Sequence, residues 1–124
     1  MRPMARTLYH PGDVEAVAAY VSKLKPVWVA PTLMGNVTAG QQRYTTLCVA
    51  CHGADAHGMQ ALNAPPLAGQ ADWYLVTQLK KFKSGMRGMH PEDGTGSQMR
   101  AMSLTLTDTT AMHDVVAYIK SLAH

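Results

Sequence analysis

The sequence of 124 residues is poor in cysteine, with two, and in phenylalanine, with one. Cys48 and Cys51 lie too close together to build a disulfide framework. No apolar run is long enough to span a bilayer. The opening residues, MRPMARTLYHPGD, lack the apolar stretch of an export signal. Charged residues make up 15% and nearly balance, leaving a net charge of +3. The basic ones do not interleave with aromatics, which argues against a nucleic-acid partner. There is no strand-like alternation, no Ser-His-Asp arrangement and no phosphate-binding glycine loop. What is plentiful is methionine, nine residues, alongside seven prolines. Methionine fills irregular gaps in cores, and its thioether can also bind iron. A chain this short buries a modest core, so a large cofactor would be a major part of it.

Apolar periodicity predicts an all-α protein with four helices. The first spans about Gly12 to Leu24, with Val14, Val17, Ala18, Val21 and Leu24 on one face, Asp13 as cap and Pro26 as stop. The second starts at Thr38, which has capping-box spacing to Gln41, with Val37 as staple. The third runs from Asp72 to Gly85 around Leu75, Val76, Leu79 and Phe82. The fourth runs from a Thr107 cap to Leu122 around Met112, Val115, Val116, Ile119 and Leu122. Gly53–Ala71 and Gly85–Leu106 read as long irregular stretches, and loops of that length in a small domain need a reason. Wrapping a flat cofactor is one.

The two ends of the chain repeat each other without a gap. Met1-Arg2 matches Met99-Arg100, Met4 matches Met102, and Thr7-Leu8 matches Thr105-Leu106. Val17, Ala19, Tyr20 and Leu24 match Val115, Ala117, Tyr118 and Leu122. The expected organisation is therefore a remnant of a preceding domain of the same kind at 1–26, a Pro- and Gly-bearing linker at 27–37, and a complete domain at 38–124.

The chemistry concentrates in Cys48-Val49-Ala50-Cys51-His52, the C-x-x-C-H pattern of covalent haem attachment. Two thiols one helical turn apart reach two vinyl groups on one side of a porphyrin, and the next His is drawn under the iron. A thioredoxin-like pair would need a β-α-β context, and a zinc site a second pair of ligands. His57, His90 and His113 stand at no such spacing.

From Ala39 to Leu122 the chain resembles class I cytochromes c, most of all the C-terminal domain of tandem di-haem members. The resemblance implies the class I cytochrome c fold: three to four main helices wrapped around one covalent haem c, here with an extra N-terminal helix. Gly40 and Tyr44 fall where that family's first helix crosses its last, and Val115 and Tyr118 on the other side of the crossing. Pro65-Pro66-Leu67 resembles the family's Pro-x-Leu loop, which implies that Pro65 orients His52 and that Leu67 packs on the haem. His52 is then one axial ligand. Counting back from the Thr107 cap, as in the family's methionine loop, reaches Met99 as the other, with Met102 as second choice. Arg100 stands where relatives have Pro. The stretch from Gln78 to Arg87 resembles another family segment, in which Arg87 would pair with a haem propionate or remain solvated.

The implied function is electron transfer by a six-coordinate His/Met haem, as a carrier or cytochrome module of a respiratory chain, and not an enzyme. The alternative is a haem enzyme or gas sensor with an open distal site. Expected partners are redox proteins, such as a terminal oxidase, with Lys80, Lys81 and Lys83 offering a docking face for an acidic surface. Covalent haem attachment implies a periplasmic location in bacteria. The missing export signal then reads as the mark of a chain that starts inside a longer protein.

Overall fold

The computed structural model describes residues 1–25 and 27–122, and these fold into helices joined by turns. In chain order they are α1 (Arg2–Ala5), α2 (Asp13–Ser22), α3 (Val37–Leu47), α4 (Val49–His52), a 3-10 turn (Gln60–Leu62), α5 (Asp72–Lys83), α6 (Gly94–Leu104) and α7 (Thr109–Leu122). The only extended pairing among the described residues is an isolated bridge between Met59 and Ala64.

The frame is the crossing of α3 and α7, the most extensive helix–helix contact described. Helix α7 buries Ala111, Met112, Val115, Val116 and Ile119 on one side. Each such side chain contributes about 1.5–3 kcal/mol when fully buried, so this stripe dominates the small core. Gly40 lets the crossing close. A Cβ there would overlap the backbone carbonyl of Asp114, and only glycine permits that approach. One turn on, Tyr44 is fully buried and its ring packs 5.4 Å from that of Tyr118.

The caps differ from the expected ones. Helix α3 is capped by Asn36, whose side-chain oxygen accepts the Ala39 N–H at 3.0 Å, and Thr38 lies inside the helix. Helix α7 is capped by Asp108, which accepts the Ala111 N–H at 2.8 Å, not by Thr107. Asp13 opens α2 but turns back to accept the His10 N–H, while Gly12 holds the cap position. Pro26, expected to stop α2, lies outside the described residues; Lys23 closes the helix.

The larger correction is α6. The stretch Gly85–Leu106 is not irregular throughout, because Gly94–Leu104 is helical. Asp93 caps it by accepting the Gly96 N–H at 2.8 Å. Two glycines in its first turn and only two buried residues, Gly96 and Ser103, leave no apolar stripe to reveal it.

Residues 28–36 do not hang free between α2 and α3. Buried Asp72 accepts the N–H groups of Thr32 and Leu33 and the Thr32 hydroxyl. Buried Lys120 donates to the carbonyls of Val29 and Gln70, both at 2.9 Å, with the Trp28 ring 5.8 Å away. Asp114 accepts the Asn36 N–H at 2.8 Å while paired with Arg43 at 3.0 Å. Three charges of the helical domain thus hold the connector's backbone, and the buried groups satisfy one another.

Helix α2 is different. It buries no residue, and its apolar side chains stay open, with Val21 at 56% exposure and Tyr20 at 67%. A helix of this length is marginal in water without packing.

Candidate functional site

Helix α3 ends at Leu47, and after a break at Cys48 the short α4 carries the C-x-x-C-H motif. Tyr44 ties the two together: its hydroxyl donates to the Gly53 carbonyl at 2.7 Å. Burial first, and then neighbouring acidic groups, push this phenol up to about 12, so it remains a donor at any physiological pH.

His52 is 7% exposed. Its Nδ1 lies 3.0 Å from the Pro65 carbonyl oxygen. A carbonyl can only accept, so Nδ1 carries the proton and Nε2 keeps a free lone pair. Gly58 holds this pairing together. Its N–H donates to the His52 carbonyl at 2.9 Å, and its φ of +81° and contact with the Ala64-Pro65 backbone leave no room for a side chain. Gly58 was not among the residues singled out in the sequence, since a glycine in a turn carries no chemical label of its own.

Cys48, Cys51, His52, Pro65, Leu67, Arg87, Met99 and Met102 all line one cavity of about 380 Å³. Every site residue expected from the sequence is thus brought to the same place. The remaining walls are the apolar stripes of α5 and α7, with Leu75, Leu79, Phe82, Val115, Val116 and Ile119. Those stripes were legible as core, but not as cofactor lining. The Arg87 guanidinium donates to Gln78 Oε1 at 2.8 Å and lies 4.4 Å over the Phe82 ring at the edge of the cavity. Leu67 is fixed by its own N–H, which donates to the Ala56 carbonyl at 2.8 Å. Lys83 departs from expectation. It points inward to main-chain carbonyls, leaving Lys80 and Lys81 exposed on α5.

The donor set decides what this cavity suits. Burial first, then Cys51, push the Cys48 thiol up to about 11, the opposite of a redox-active or metal-binding thiolate. No cluster of three or more His, Cys, Asp or Glu side chains among the described residues could hold a metal ion. An apolar slot with two thiols on its rim, a buried imidazole with Nε2 free and two thioethers fits a flat iron porphyrin bonded through thioethers. These features define a protein that carries covalent haem c.

The comparisons agree. The profile of the cytochrome c family matches residues 37–123, and the chain belongs to that family. It is 34% identical to cytochrome c-554(548) of Halomonas halodenitrificans over 87 residues, 70% of this chain and 96% of the relative. It is 39% identical to cytochrome c4 of Stutzerimonas stutzeri over 70% of this chain but 41% of the relative. It is 34% identical to the thiosulfate dehydrogenase electron acceptor of Thiomonas intermedia over 87% of this chain and 52% of the relative. The last alignment covers more than residues 37–123 can supply and so extends outside the family match. The chain therefore spans about half or less of the length of two of these relatives. One covalent haem c and electron transfer follow from family, fold and motif together.

Proposed function

We propose that this chain transfers single electrons through a six-coordinate haem c held by Cys48, Cys51, His52 and Met99. The observation that carries the reading is the locked imidazole: His52 Nδ1 is committed to Pro65, which leaves Nε2 as the free ring nitrogen of a residue that lines the same cavity as Met99. Held by these residues, a haem would supply one-electron ferric/ferrous chemistry. The protein's residues do the rest. Pro65 fixes the ring and raises its basicity. Met99, which lines the same cavity, would hold the iron together with His52 and so leave no open site for dioxygen or peroxide, favouring transfer over catalysis. Leu67 and the α5 and α7 stripes keep water from the ring. Arg87, already oriented by Gln78, would pair with a haem propionate.

The location is the periplasm, where covalent haem attachment takes place, and no described helix is long and apolar enough to cross a membrane. The partners are redox proteins of a respiratory chain, approached through Lys80 and Lys81 where the partner surface is acidic. The relative that accepts electrons by name supports a donor–acceptor role. Residues 1–26 are the methionine segment and last helix of a preceding cytochrome domain. The sequence repeat, the exposed apolar face of α2 and the alignment that extends outside the family match support this.

Absorption spectra test the ligand set. Ferric Met99→Ala should lose the long-wavelength sulfur-to-iron band while Met102→Ala retains it; the reverse pattern would move the ligand to Met102. Rapid carbon monoxide binding to the reduced wild-type protein would overturn the closed site in favour of a sensor or enzyme.

A further inference from the structure

Helix α6 bears Met99 and Met102 and packs along α5, but buries only Gly96 and Ser103. Two close contacts at its ends come from the end of α5 and the turn that follows. At its start, the chain at Gly88 runs against the Gly96 carbonyl, too close for a side chain at Gly88. At its end, Lys83 of α5 reaches across to the turn between α6 and α7. The Lys83 ammonium donates to the carbonyls of Leu106 and Thr107, the latter at 2.9 Å. Neither helix uses these two carbonyls: α6 closes on Met102 and Ser103, and the first carbonyl of α7 is that of Asp108. Leu106 itself is buried and lines the haem cavity.

We propose that Lys83 is a positioning residue for the distal ligand, clamping the α6–α7 turn so that the methionine of α6 stays on the iron. Helix α7 is fixed by its crossing with α3 and α6 packs along α5, so the short turn between α6 and α7 sets how the two meet. A cation on two carbonyls that accept no other hydrogen bond from the described residues closes that turn. Losing charge-assisted hydrogen bonds of this kind raises the open population about tenfold or more. The inference rests on methionine ligation as proposed above, and it assigns Lys83 a role inside the protein rather than on a docking face.

The test uses holoprotein carrying Lys83→Met, Lys83→Arg or, as an exposed lysine control, Lys25→Met. Readouts are the ferric sulfur-to-iron band, the rate of carbon monoxide binding to the ferrous protein, and hydrogen exchange of the α6 amides. Lys83→Met should weaken the band, speed carbon monoxide binding about tenfold and deprotect α6. Lys83→Arg should restore most of each, and Lys25→Met should match wild type. An unchanged band and rate in Lys83→Met would overturn the clamp, as would equal changes in Lys25→Met. If Lys83→Met does not take up haem, Lys83→Gln, which keeps donors without charge or reach, is read against the same outcomes. The ligand assignment fails separately, through a wild-type protein with no sulfur-to-iron band or a band that survives Met99→Ala.

Discussion

Gly40→Ala sets two known effects against each other at the crossing of α3 and α7. In an exposed helix the change would stabilise, because alanine gains about 0.5–1 kcal/mol over glycine. Here the new methyl group would overlap the Asp114 carbonyl and come within 3.0 Å of Tyr118 Cβ. Backbone cannot swing aside as a flexible side chain can, so the overpacking cost belongs at the upper end of the usual range, about 3 kcal/mol. The net loss is about 2 kcal/mol or more, equivalent to roughly 6–10 °C in Tm for a chain of this size. The control is Gly94→Ala in the first turn of α6, where a Cβ meets nothing within 4 Å. Urea titrations of both holoproteins, followed by helical circular dichroism, measure the difference. Gly40→Ala should lose stability and Gly94→Ala should match wild type or gain slightly. A Gly40→Ala protein as stable as wild type would refute the close crossing and, with it, the placement of the haem motif by α3.

Tyr44→Phe removes the hydroxyl that holds Gly53 and strands its carbonyl, at a cost of about 1–3 kcal/mol by chemical unfolding, with the haem motif more mobile in hydrogen exchange. Asp72 should make stability fall in acid. Burial raises its carboxyl, but the N–H groups of Leu33, Thr32 and Trp73 and the Thr32 hydroxyl outweigh this and hold it below the usual range. Its contribution is therefore complete above the ordinary aspartate pKa and lost as pH falls through the lowered folded value. Asp72→Asn should be less stable at neutral pH and show a flatter decline in acid; an unchanged slope would contradict that linkage.

Much of the site could be read before the fold. The C-x-x-C-H motif names its own chemistry, since thiol spacing and the adjacent imidazole are covalent neighbours. The stripes of α5 and α7 were visible because helical periodicity is local. Pro65 and the methionines were found only through resemblance, because nothing local marks a carbonyl as a histidine's partner. Met99 was reached by counting from Thr107 although the cap is Asp108, so its presence in the cavity does not depend on that cap.

The sequence by itself determined the cofactor and the order of the four helices that carry an apolar stripe, because covalent spacing and apolar period are short-range properties. Only the tertiary structure decided that the methionines ride on a helix, since the glycine-bearing, stripe-free Gly94–Leu104 is capped by Asp93 and packed along α5, with Gly88 against its first turn. It also decided that Asp72, Asp114 and Lys120 bind the connector and that Lys83 turns inward. In each case a charged side chain reads as surface in one dimension. It becomes interior when folding brings an unpaired backbone group from a distant stretch within its reach, and the buried pairing costs less than leaving either group alone.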